Sequence, residues 1–193
     1  MLAEPTLPTP RQAADKLLPL LARCSGRPYA VVDASHGEQA YELITRWGEH
    51  AHCLYSGQEA TTLARYAPYL LELRENSAAL MELLEQAWQL NWAIFVDGAA
   101  DWQKVRLQLK KSLFVLDENK DRHYFRYYDA RILRLFLPTA SKEQAAQFFG
   151  EDIYAFYAKT VNPQQWVEYR RSSPKALNWL TGEISLTATA WAP

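Results

Sequence analysis

YAVVDASHGEQAYELITRW, residues 29–47, is the stretch on which the fold turns. YAVVDAS, residues 29–35, is short, rich in β-branched side chains and bounded by turn formers, so it reads as a buried strand. GEQAYELITRW then reads as a helix that turns Ala40, Ile44 and Trp47 inward. A strand, a turn and an amphipathic helix follow one another with no residue to spare.

Outward from this unit the order repeats. HCLY is a short strand candidate, Gly57 and Thr61 flank a helical turn, and Pro68 introduces the strand YLLEL. Ser77 is placed to cap a helix running to about Leu90, with Leu80, Leu83, Leu84, Ala87 and Trp88 as its inner stripe. WAIFVD, residues 92–97, is the next strand. Asp101 caps a helix that points Trp102, Val105, Leu109 and Leu113 inward, with Lys110 and Lys111 in its last turn, where the helix dipole favours cations.

Further along, FVLDENKDRHYFRYYD reads as a β-hairpin turning at Asp117–Asp121. Helices follow from Ala130 to Pro138 and from Ser141 to Phe149, with Gly150 as a stop. IYAFYAK and QWVEYRR form a second hairpin around Asn162–Pro163. Upstream, residues 11–23 carry helical spacing interrupted by Pro19. The tail after Pro174 has no assigned element; ISLTATAW reads equally as a strand or as a segment that orders against a partner.

The expected fold class is therefore α/β: a single domain with a mixed, mostly parallel sheet flanked by helices and extended by antiparallel hairpins. The expected organisation is an N-terminal arm and helix at 1–27, the α/β domain at 28–160, and a C-terminal extension or small appendage at 161–193.

Bulk composition narrows the function. The chain has 193 residues, 49% of them hydrophobic and 13% aromatic, too apolar for disorder. Net charge is −1, from 21 basic and 22 acidic residues, which gives no global grip on nucleic acid or an anionic membrane. Two cysteines, Cys24 and Cys53, make no disulfide framework. No signal-peptide pattern and no membrane-length apolar run is present, so the expected location is the cytoplasm.

The search for chemistry yields fragments. His50, His52 and Cys53 are neighbours, yet zinc needs three or four ligands and no CxxC or HExxH occurs. Asp33, Ser35 and His36 are too close in sequence to make a triad, and there is no GxSxG elbow. Phosphate loops are missing, and Asp33 would repel a phosphate at the one strand–turn–helix that resembles such a site. No metal, no cofactor and no catalytic residue is assigned. A small-molecule enzyme using Asp33, His36 or Asp97 stays open as an alternative. So does a single-stranded nucleic-acid binder using RHYFRYYDAR, whose interleaved aromatics and arginines suit stacking.

HYFRYYDARILRLF, residues 123–136, carries the densest signal. As a strand it sets Tyr124, Arg126 and Tyr128 on one face and Phe125 and Tyr127 on the other. Asp129 stands where strand gives way to helix, able to accept backbone N–H bonds, with Arg126 and Arg131 near enough to pair with it.

The same segment supports a resemblance. FRYYDARIL is similar to the RFYDPRVL-type signature of the adaptor, or effector-chaperone, proteins of bacterial type VI secretion (the Tap/TEC family). YAVVDAS resembles that family's opening strand, LYSGQEATTLARYAPYLLEL its strand–turn–GPYL segment, and WQKVRLQLKKSLFVLDENKDRHYFRYYD its helix–hairpin, in the family's order across about residues 28–150. Two departures stand out: Ala130 replaces the usual proline at the first helical position, and Ala67 the usual glycine before Pro68. The resemblance implies a non-catalytic cytoplasmic adaptor that binds a secreted effector and loads it onto the VgrG spike. Carried over by motif, the structure-or-binding residues are Tyr69, Arg126, Tyr128, Asp129 and Arg131, with no role for nucleic acid or membrane.

Overall fold

The computed structural model describes residues 15, 17–19, 21–73, 78–117, 119–161, 166–171 and 189–190. In chain order the elements are β1 (Arg27–Asp33), α1 (Glu38–Arg46), β2 (Ala51–Cys53), α2 (Gln58–Thr62), β3 (Pro68–Glu72), α3 (Ala78–Leu90), β4 (Ala93–Gly98) and α4 (Trp102–Lys111). The ribbon β5 (Phe114–Leu116) and β6 (Arg122–Tyr124) follows, then α5 (Ala130–Phe136), α6 (Lys142–Phe149), β7 (Ile153–Lys159), β8 (Trp166–Arg170) and β9 (Thr189–Ala190). Short 3-10 turns flank α1 and precede β3.

Among the described residues seven strands form one sheet in the order β2-β3-β1-β4-β7-β8-β9, and every neighbouring pair is antiparallel. The expectation of a mostly parallel sheet is thus corrected. β1 and β2 do run the same way, joined by α1, but β3 lies between them and pairs with both in the opposite sense. β3 and β4 likewise share a direction through α3, with β1 inserted between them. These are two interleaved split β-α-β units. Alternating strands and helices have the same local pattern whether the returning strand docks beside its predecessor or one place further out, so local pattern does not fix the pairing.

Helices cover both faces. On one side Leu43 and Ile44 of α1 and Leu80, Leu83 and Leu84 of α3 pack with Leu17 and Leu21 against Ala30, Val32, Leu71 and Phe95. On the other, Val105 and Leu109 of α4, Leu133 of α5, and Phe148 and Phe149 of α6 pack against Tyr29, Val31, Leu70, Ile94 and Phe156. β1 supplies alternate residues to the two layers, as the pleat requires, and is buried on both.

Caps fall where the sequence places them. Asp101 accepts from Gln103 N at 3.0 Å, and Ser141 and Gln144 form a capping box at α6. Helix α6 ends at Gly150, whose φ of +57° is the left-handed region glycine tolerates. The expected second hairpin is present as β7–β8, in register from Ala155↔Arg170 to Lys159↔Trp166. The Ser77 cap, the Ala87 and Trp88 side chains, the arm at 1–10 and most of ISLTATAW lie outside the described residues; Thr189 and Ala190 from that stretch pair with β8.

The first hairpin needs a second correction. Among the described residues β5 and β6 pair only with each other and stand outside the main sheet. The second strand stops at Tyr124 rather than continuing through Tyr128. Beyond it the chain turns inward, so Tyr127 and Tyr128 are both buried instead of alternating. The apolar layer over the sheet has room for both rings, and burial there outweighs strand periodicity.

Candidate functional site

After Arg27, β1 is apolar from Pro28 to Val32 and closes on Asp33, whose carboxylate is buried at the end of the strand. One oxygen of it accepts from Ser35 N at 2.9 Å, which caps the turn into α1. The other forms an ion pair with Arg126, which also donates to Ser35 Oγ at 3.1 Å. A buried carboxylate is costly without a cation, and Arg126 supplies one while leaving about half of its side chain in water.

Three residues on, Asp129 caps α5 by accepting from Arg131 N at 2.8 Å. The Arg131 guanidinium folds back onto the same carboxylate, with Nε at 3.0 Å from Oδ1 and Nη2 at 2.6 Å from Oδ2. Burial pushes the Asp129 carboxyl up, but the hydrogen bonds from Arg131 outweigh it and leave it below the usual aspartate range. The two arginines of the motif therefore serve two different carboxylates: Arg131 its local cap, Arg126 the strand end.

Between them lies Tyr128, buried, with the Arg126 guanidinium carbon 5.9 Å from its ring centroid. Burial, and then the Asp33 charge, push its phenol up to about 12, so it stays protonated at neutral pH. The Tyr55 hydroxyl interacts with those of Tyr128 and Tyr124. Tyr55 is held by Arg106, whose guanidinium donates to Cys53 O at 2.8 Å and Tyr55 O at 3.1 Å. The Tyr55 and Tyr124 rings are 6.0 Å apart, Tyr124 and Phe114 are 4.4 Å apart, and Arg122 lies 3.3 Å over Phe114. The corner and the free-standing ribbon thus form one continuous run of aromatics with an arginine at each end.

Of the residues singled out from sequence, the fold brings Arg126, Tyr128, Asp129 and Arg131 to this corner. Tyr69 is in β3, where its hydroxyl donates to Ala64 O at 3.0 Å and its ring meets Tyr41 edge-on. Asp33 and Ser35 join the corner as partners of Arg126. His36 instead stacks near Trp92, with ring centroids 6.1 Å apart. Asp97 is buried and accepts from Ser25 N, Gly26 N and Arg170, which ties the start of β1 to β4 and β8. His50 and His52 both face Glu72, at 3.5 and 2.9 Å, and His52 lies flat on Trp102 at 3.5 Å. Among the described residues no group of three or more His, Cys, Asp or Glu side chains has the geometry to hold a metal ion.

Sequence reading set Tyr124 on one face with Arg126 and Tyr128 but missed Tyr55, Phe114 and Arg122 as members of the corner. A signal existed for Asp33 alone: a carboxylate closing an otherwise apolar strand demands a cation. Nothing local shows which arginine answers it.

A family model described as a domain of unknown function (DUF4123) matches residues 28–147. No curated protein and no solved structure matches the chain. Among the described residues no helix is long and apolar enough to cross a membrane.

Proposed function

The chain belongs to the DUF4123 family, and from that premise we propose that it is a cytoplasmic adaptor of bacterial type VI secretion. It holds a secreted effector in the producing cell and promotes its loading onto the VgrG spike. The observation that carries this reading is the family match across residues 28–147, within which Asp33 and Arg126, 93 residues apart, meet in one corner. FRYYDARIL, the signature segment, supplies the clamp and the cap of that corner.

The adaptor acts by non-covalent capture and catalyses no reaction of its own. Large aromatics with flanking arginines suit such capture, because they bury much surface at little conformational cost and orient the partner. The corner offers both, on a ribbon the main sheet does not claim.

The test is co-expression of the full chain with the effector and VgrG encoded beside it, followed by size-exclusion chromatography. Co-elution with the effector as a stable complex is the expected result. If the folded wild-type chain elutes alone from both, the adaptor reading is abandoned.

A further inference from the structure

β2 is an outer strand of the seven-stranded sheet, paired on one side only among the described residues. Such an edge presents backbone donors and acceptors onto which a further strand can add. Leu54 N donates to Pro68 O, so Leu54 turns its backbone toward β3, and its neighbours Cys53 and Tyr55 turn theirs outward.

These outward groups are nearly all engaged. Arg106 Nε donates to Cys53 O at 2.8 Å, and its Nη2 donates to Tyr55 O at 3.1 Å. The two carbonyls, two residues apart, are the acceptors an added strand would use. The Tyr55 N–H bonds the Cys53 thiol, and the Ala51 N–H is held by Gly48 O. Among the described residues Arg106 pairs with no carboxylate; its planar fork is given over to backbone.

Arg106 is the middle of a stripe. Trp102, Arg106 and Lys110 are four residues apart and share one face of α4. Trp102 lies flat on His52 at 3.5 Å, and Lys110 bonds Ser56 Oγ. The stripe follows the chain from residue 52 to residue 56, along β2 and just past its end.

We propose that Arg106 is a gate on this edge: by occupying the carbonyls of Cys53 and Tyr55 it keeps a second copy of the chain from adding its own β2 to the sheet. A second copy fits the uncovered edge. Two identical strands related by a twofold axis run antiparallel, the sense of every pair in this sheet. Pairing Cys53 with the same residue of the copy sets His52 opposite Leu54 and Ala51 opposite Tyr55, with no like charges face to face. That register exchanges bonds at Cys53, the residue whose carbonyl Arg106 holds. The gate is independent of the adaptor reading, since it concerns how the chain meets itself.

The experiment is sedimentation equilibrium of the full chain in reducing buffer. Arg106→Ala should self-associate at least about tenfold more tightly than wild type. Adding Cys53→Pro deletes the outward N–H without touching the bonds to β3, and should return the double variant to wild-type behaviour. Gln108→Leu is weakened on the same helix but away from the edge, and should associate no more than wild type. Arg106→Gln, shorter and without the fork, carries the same expectation as the alanine variant if that one does not fold. Far-UV circular dichroism verifies folding throughout. A folded Arg106 variant that associates no more than wild type, association that survives Cys53→Pro, or equal association of Gln108→Leu overturns the proposal. Failure of both Arg106 variants to fold overturns it too, because Arg106 would then be a bolt of the fold and not a gate.

Discussion

Arg126 pairs with Asp33 across a chain separation of 93 residues, and the two are unequally placed: the carboxylate is buried, the guanidinium half in water. Such a pair is weak evidence for stability while intact, yet breaking it from the cation side strands a charge in the interior. The corner is therefore a clamp whose two halves are not interchangeable.

Arg126→Ala should destabilise the protein by about 2 kcal/mol, below the range for a fully buried pair because Arg126 is half-exposed. Adding Asp33→Asn should recover part of that loss, since the amide oxygen keeps the bond from Ser35 N without the charge. Urea unfolding of the two singles and the double closes the cycle. Strict additivity would show that the pair contributes nothing.

Asp129→Ala removes the α5 cap and the seat of Arg131 together, at a cost of about 1–2 kcal/mol. Its acid dependence has a definite sign. The folded carboxyl titrates below its ordinary value of 3.8, so its contribution is complete above that value and is lost as pH falls below it. Wild type should lose urea resistance more steeply than Asp129→Asn on going below about pH 4.

Gln108 is buried in α4 and its amide donates to Gln147 O at 2.7 Å and Phe148 O at 3.2 Å, closing the end of α6. Gln108→Leu strips those carbonyls of their donor, and a loss of about 1–3 kcal/mol is expected in thermal or urea denaturation. Gly150→Ala attacks the same joint from the other side. Its φ is positive, and a Cβ there would press on the Gln108 side chain, so destabilisation is expected here too.

His52 lies flat on Trp102 and bonds Glu72, so its packing and its polarity can be separated. His52→Phe keeps a ring on the indole and should cost about 1 kcal/mol through the lost bond. His52→Ala also removes the ring and should cost more. Tryptophan emission, which reports the environment of Trp102 among others, should shift with His52→Ala more than with His52→Phe.

Much of the fold was legible before the structure. YAVVDAS, YLLEL and WAIFVD are β1, β3 and β4 to within a residue or two, and Asp101 and Asp129 cap the helices they were expected to cap. These are local matters: burial pattern, hydrogen bonding to the next few backbone amides, and turn chemistry all act within a few residues. The direction of strand pairing was not legible. Neither was the burial of Tyr127 beside Tyr128, which broke the alternation of a strand.

The amino-acid order alone determined most of the strands and helices and the helix starts at Asp101 and Asp129, because those choices are settled between near neighbours in the chain. Only the tertiary structure decided that β3 slips between β1 and β2, that Arg126 answers Asp33 while Arg131 answers Asp129, and that Tyr55 completes a face with the ribbon. Those outcomes depend on which distant surfaces meet when apolar area leaves water. Burial rewards any contact of the right chemistry and carries no memory of sequence distance.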